Sequence, residues 1–375
     1  MRNLNFPGNK TLRILLIPGT VFICFLIIEI GYRLLDPFPY FSGDTINRTQ
    51  HGNLSQHDPI LGWKGVPGGK TQLVTKNARV SLEHNKNGYR DIEHDPSTKK
   101  PAIVFLGDSF TWGHEIEFEE MFVNLLREKM PSYEIFNLSH RGYGTDQEFI
   151  LFKNWNYDGA IKLVILIFFE NDLSDNNLDI NYMKPKPRYI IHDNKLSLTG
   201  VPVPKIQKWD DNYQSQNKNV SLTHKLKSIA LKSHFLHDIY FRYRIFKYLK
   251  KMNWEIPDNK VEDQSITYRI LEELNKSVVA RGAKLIVFFI PSKREIENIG
   301  NYSPYQNKVI EFCEEIGITC IDLAPDFKQT WRRAYYRYEG GHWNSYGNQI
   351  AAESIYNYLT TNPVLKIELN LMEGE

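Results

Sequence analysis

Between residues 101 and 360, short and almost wholly apolar runs alternate with longer stretches in which apolar residues recur every three to four positions. Ala102–Leu106, Tyr133–Leu138, Lys162–Phe169, Lys284–Ile290 and Ile318–Leu323 have the length and composition of strands buried on both faces. Glu117–Met130, Thr145–Tyr157, Val261–Arg281, Pro304–Ile316 and Ser345–Leu359 carry the helical period. Strands alternating with helices predict right-handed crossovers and a mainly parallel sheet. The expected fold class is α/β, three layers deep, around five strands.

The alternation fails in three places. Ile14–Ile28 is an apolar run of 15 residues, extended through Ile30 and Leu35 and broken by Glu29 and Arg33. Arg2, Lys10 and Arg13 precede it and no small-residue cleavage site follows. These features predict one N-terminal transmembrane helix with a cytoplasmic N-terminus and the rest of the chain extracytoplasmic, in the periplasm or at the cell surface. Residues 36–99 are rich in Gly, Pro, Asn and charge and predict a stalk with β-like pieces wrapping the main domain. Residues 173–260 form an insertion. Within it, Tyr189–Thr199 predicts a hairpin turning at Asp193-Asn194, and Leu222–Met252 is helical in pattern. Residues 221–251 hold eight basic residues against Asp238 alone, which suits either a solvated face or contact with anionic lipid or polymer. The expected division is a membrane anchor at 1–35, a stalk at 36–99, a main domain at 100–362 and a tail at 363–375.

Gly107-Asp108-Ser109 ends the first strand run, so Ser109 stands at a strand's C-terminal end before a helix, where open α/β sheets bind ligands. Asp and Ser are also good helix caps, so the block alone does not define a nucleophile. Far downstream, His342 offers the base that a serine needs, and Glu339, three residues earlier, is placed to orient its imidazole. Asn171-Asp172 follows the third strand run, and Gly142 and Gly144 lie in a loop after the second. Asp108 and Asp172 read as structural acids. His114, His140, His192, His224, His234 and His237 show no identifiable partner.

These blocks resemble the GDSL-like, or SGNH, hydrolase family. Gly107-Asp108-Ser109, Gly142, Asn171-Asp172 and His342 match its four blocks in order. Leu61-Gly62-Trp63, Asn87-Gly-Tyr-Arg-Asp91, Gly142-Tyr-Gly-Thr-Asp-Gln147 and His342-Trp-Asn344 resemble its membrane-anchored bacterial branch. The resemblance covers roughly residues 58–360 apart from a poorly matched stretch near 175–260. Phe169 stands where a glycine is usual, and Glu339 where an aspartate is usual. The resemblance implies a flavodoxin-like sheet and a serine esterase. Ser109 would be nucleophile, His342 base and Glu339 orienter, with an oxyanion hole from the N–H groups of Ser109 and Gly142 and the amide of Asn171. It implies no cofactor and no metal.

Composition narrows the partners. A net charge of +2 over 375 residues argues against nucleic-acid binding, and 42% apolar residues suffice for a large core. The sequence shows no phosphate-cradling glycine loop and no Cys/His metal spacing. Cys24, Cys313 and Cys320 read as packing residues, with a Cys313–Cys320 bridge left open. The expected activity is hydrolysis of short acyl esters, above all O-acetyl groups on a glycan, with a pH limb in the imidazole range of about 6–7. Trp112 and Trp343 are candidates for stacking on sugar rings or for the core. The alternatives are a glycan O-acyltransferase using the same residues and a non-catalytic glycan-binding protein.

Overall fold

Five strands in the order β13-β12-β7-β5-β6 form one sheet, and every neighbouring pair is parallel. The computed structural model describes residues 9–35, 54–75, 77–182, 184–205, 264–292, 306–336 and 341–369, with the single residues 233, 235, 236, 239 and 296. The strands are β1 Ser55–Asp58, β2 Gly62–Gly65, β3 Lys70–Val74, β4 Arg79–Glu83, β5 Ala102–Gly107, β6 Glu134–Asn137, β7 Ile161–Phe168, β8 Ile180–Asn181, β9 Lys184–Pro185, β10 Arg188–His192, β11 Lys195–Thr199, β12 Lys284–Phe289 and β13 Thr319–Asp322. The helices used below are α1 Asn9–Leu35, α2 Ser109–Trp112, α3 Phe122–Lys129, α4 Thr145–Asn154, α5 Asn171–Asp175, α6 Gln264–Val279, α7 Gln306–Glu315 and α8 Ser345–Thr361.

All five expected sheet strands form, with ends shifted by one residue or two. Their continuous apolar runs are explained by burial on both faces. Alternate residues of β5 and β7 feed two separate cores: Val104, Leu106, Val164 and Leu166 face α4 and α6, while Ile103, Phe105, Ile165 and Ile167 face α3 and α8. The chain leaves β5 towards β6 and then returns to the other side of β5 for β7. The direction of winding therefore reverses between β5 and β7, and the crevice at their C-terminal ends is the switch point of the fold.

Residues 54–99 do not stand off as a simple stalk. The β1–β2 and β3–β4 hairpins are antiparallel, and Leu54, Leu73, Val80 and Leu82 form a small core with Trp112 of α2. The hairpin expected at Tyr189–Thr199 is present as β10–β11, with Asp193 and Asn194 both at positive φ in its turn. Leu365 and Leu369 are buried, so packing continues past residue 363. Cys24, Cys313 and Cys320 are free thiols.

Contacts divide the chain into two units, residues 1–44 with 212–259 and residues 45–211 with 260–375. In the first, Glu29 of α1 is buried and accepts hydrogen bonds from Ser233 Oγ at 2.7 Å, Phe235 N at 3.1 Å and Arg33 Nε at 2.7 Å. The expected transmembrane segment is helical. Even so, among the described residues no helix is long and apolar enough to cross a membrane. Pro18, Glu29 and Arg33 interrupt the apolar sequence of α1. The basic residues expected on a helix at 222–252 lie outside the described residues.

Candidate active site

Ser109 and His342 meet at the switch point, with Ser109 Oγ 2.9 Å from His342 Nε2. Ser109 opens α2 directly after β5. Asp108 caps that helix by accepting from Phe110 N at 2.9 Å, which directs the acid away from chemistry and fixes the serine's backbone. Gly107 is required by close packing, because a Cβ there would lie 2.1 Å from Thr111 Oγ1. On the histidine side, Asn344 caps α8 by accepting from Gly347 N and donates its own N–H to Ala334 O, which pins the loop carrying His342.

Among the described residues, the acid beside His342 is Glu115. Its Oε2 lies 3.8 Å from His342 Nδ1, so the nucleophile and the carboxylate approach the imidazole through different nitrogens. Glu339, the expected orienter, lies outside the described residues. Glu115 is 1% exposed and sits at φ +65, a backbone region that non-glycine residues rarely adopt. Three contacts hold it there. Asn77 Nδ2 donates to its Oε1 at 3.0 Å, Tyr336 OH donates to its backbone carbonyl at 2.8 Å, and Gly113 just before it turns in the left-handed conformation. Backbone strain over-determined in this way is typical of functional positions. Asn77 belongs to the β3–β4 turn, so the N-terminal hairpins help to build the site.

The loop after β6 is fixed from the same side. Trp63 Nε1 donates to Arg141 O at 3.2 Å, Tyr143 OH to Trp63 O at 2.5 Å and Gln147 Nε2 to Leu61 O at 2.7 Å. Arg90 is buried and donates to the carbonyls of Trp112, Gly113 and Ile116, tying down the segment that carries Glu115. Asp91 accepts from Asn137 N at 2.8 Å. The Leu61-Gly-Trp and Asn87–Asp91 blocks thus act as braces for the site.

Gly142 takes φ +72, and a Cβ on it would lie 2.6 Å from the Tyr182 ring. The N–H groups of Ser109 and Gly142 have no hydrogen-bond partner among the described residues, which leaves both able to donate. Asn171 differs from the expectation. Its amide nitrogen donates to Asp175 Oδ2 at 2.9 Å. Asp172 is structural, accepting from Thr145 N at 3.1 Å and Phe169 N at 3.0 Å. Phe169, in the position usually held by glycine, packs on Phe110, whose ring lies 4.9 Å from that of His342. Trp112 and Trp343 are buried core residues, not platforms for a sugar.

Burial, and after it the charge of Arg141, pulls His342 down to about 4, so it is a neutral base at pH 7. The carboxylate of Glu115 acts in the opposite sense and favours the cation that forms during proton transfer. His114, whose ring is 4.7 Å from that of His342, is held neutral by burial and by that neighbour. Burial and the proximity of Asp175 raise Asp108 to about 7. His114, Glu115 and His342 offer ligand atoms within 4.8 Å of one another, a grouping that no sequence spacing announces.

Several solved structures resemble the chain at low identity. A lipolytic G-D-S-L family protein from Veillonella parvula shares 11% identity over 69% of this chain and 98% of its own, with a TM-score of 0.39. TesA shares 10% identity over 69% of this chain and 98% of its own, with a TM-score of 0.36. The acetyl xylan esterase AlAXEase shares 13% identity over 69% of this chain and 99% of its own, with a TM-score of 0.36. No family model and no curated protein matches the chain. What the site can do is therefore argued from its own residues.

Proposed function

We propose that the protein is a serine esterase. The observation that carries this is the 2.9 Å contact between Ser109 Oγ and His342 Nε2, with Glu115 on the far nitrogen of the ring. Ser109 Oγ attacks the acyl carbonyl as His342 Nε2 takes its proton. The N–H groups of Ser109 and Gly142 receive the oxyanion, each such donor being worth roughly 3–4 kcal/mol to the transition state. His342 then protonates the departing alcohol and an acyl-enzyme remains. Water, deprotonated by His342, attacks the acyl carbonyl, and the acid leaves as the proton returns to Ser109. Glu115 holds the imidazole and stabilises its transient positive charge.

The finer reading is a short-acyl esterase acting on O-acetyl groups of an envelope or exported glycan. It rests on the apolar N-terminal segment and the basic residues Arg2, Lys10 and Arg13 ahead of it, which favour attachment at a membrane with the chain beyond residue 35 outside the cytoplasm. The test is covalent labelling by a fluorophosphonate together with acetate release from acetylated glycans. Labelling that survives Ser109→Ala would sink the esterase assignment. Acetate transfer to an added glycan in place of release would make the protein an O-acyltransferase.

A further inference from the structure

Arg141 lies beside this site, and among the described residues no acid pairs with it. Its guanidinium carbon stands 4.7 Å from the centre of the Trp112 ring. Its Nε is buried without a hydrogen-bond partner, and among the described residues no carboxylate pairs with the guanidinium. The fully buried cations Arg90 and Lys186 are matched. Arg90, on the same indole at 5.1 Å, donates to backbone carbonyls, and Lys186 pairs with Asp146 at 2.6 Å. Burial pulls Arg141 only to about 10, so it remains a cation at pH 7. Arg141 is partly exposed, so its guanidinium combines a buried, unpaired Nε with a face that a ligand of opposite charge can reach.

The position of Arg141 is specific. It immediately precedes Gly142, one of the two free N–H donors, and its charge is felt by His342, His114 and His84. Among the described residues, Ser109, Glu115, His114 and Phe110 face His342, and the charge of Arg141 acts on it. Glu115 is turned to Asn77 and His342 and is not paired with Arg141 among the described residues, so the guanidinium can meet a bound ligand. The guanidinium carbon lies over the Trp112 ring, and a planar guanidinium suits two-point binding of a carboxylate or phosphate.

We propose that Arg141 anchors an anionic group, carboxylate or phosphate, carried by the ester substrate close to its scissile bond. This rests on the esterase reading and narrows its substrate class to anionic esters, such as esters of uronic-acid-bearing or phosphorylated glycans.

The test uses the full chain at pH 8, where His342 is neutral. kcat/KM is measured for para-nitrophenyl acetate and for mono-para-nitrophenyl glutarate with wild type, Arg141→Gln and Arg141→Lys. The ratio of anionic to neutral ester should fall about tenfold or more in Arg141→Gln and be partly kept in Arg141→Lys. An unchanged ratio overturns the proposal. An equal loss on both esters also overturns it, since that pattern belongs to an oxyanion donor. A second measurement needs no turnover: calorimetric titration of Ser109→Ala with glutarate and with phenyl phosphate. Saturable binding that disappears when Arg141→Gln is added supports the anion site, and the tighter ligand distinguishes carboxylate from phosphate. Binding of neither overturns it. A wild-type protein that resists fluorophosphonate labelling would refute the esterase reading alone, because the titration still decides the anion site.

Discussion

Glu115 reaches within 3.8 Å of His342 Nδ1 although it follows Ser109 by only six residues. One short segment therefore carries both the nucleophile and the acid, and it wraps around the imidazole by passing through a left-handed turn at Gly113 and a second left-handed residue at Glu115 itself.

Replacing the acid by its amide tests this relationship. Glu115→Gln should lower kcat by about 100-fold or more, because the imidazolium loses its counter-charge. His342→Ala should cost more, and Glu339→Gln much less. Steady-state kinetics on para-nitrophenyl acetate would rank the three. A larger loss in Glu339→Gln than in Glu115→Gln would return the orienting role to Glu339.

Ser109→Ala should abolish fluorophosphonate labelling and ester turnover while leaving the circular dichroism spectrum unchanged. The Oγ makes its 2.9 Å contact with His342 and caps nothing, since Asp108 serves that purpose. Loss of the folded signal in this variant would mean that the serine is structural.

The pH dependence departs from the unperturbed imidazole range of about 6–7. His342 acts as a base only when neutral, and burial followed by Arg141 lowers its titration from 6.5 to about 4. Activity should therefore persist below pH 6 and decline as pH falls through about 4. Arg141→Gln removes a repelling cation and should move the limb upward, whereas Glu115→Gln removes an attracting anion and should move it downward. Opposite shifts in kcat/KM profiles would show that the signs are misassigned.

Gly142→Ala should damage both stability and rate. The residue sits at φ +72 with no room for a Cβ beside Tyr182. A cost of at least about 1 kcal/mol is expected for a side chain forced into that conformation. Thermal denaturation would show a lower Tm, and kcat would fall with the misplaced N–H. Gly144→Ala provides the comparison, since Gly144 has an extended backbone and a Cβ there would stay 3.1 Å or more from its neighbours.

The sheet was legible because parallel strands covered on both faces must be almost continuously apolar, and each of the five runs ends near a residue that cannot prolong it. Ser109 and His342 were legible for a related reason: polar residues placed just beyond such runs, or at a helix start, point to the crevice. Glu115 was not. It lies in no periodic segment, its conformation defies local preference, and its partners Asn77 and Tyr336 are distant in sequence. Glu339 is the expected orienter because three residues is a plausible reach to a histidine, and it lies outside the described residues, among which Glu115 from the other end of the domain is the acid seen beside the ring. The unbalanced charge on Arg141 was equally hidden, since pairing is a property of the packed chain and not of composition.

The hydrogen bond from Asn77 to Glu115 makes the hairpins inseparable from the chemistry. A gene fragment beginning at β5 would encode a complete sheet and every residue that attacks or relays a proton. It would lack the wall that keeps the acid in place, and Trp112 would lose the small core of Leu54, Leu73, Val80 and Leu82. In any chimera that grafts this active site onto a related sheet, the hairpins and the sheet would have to be transplanted together, because the turn that carries Asn77 belongs to the site.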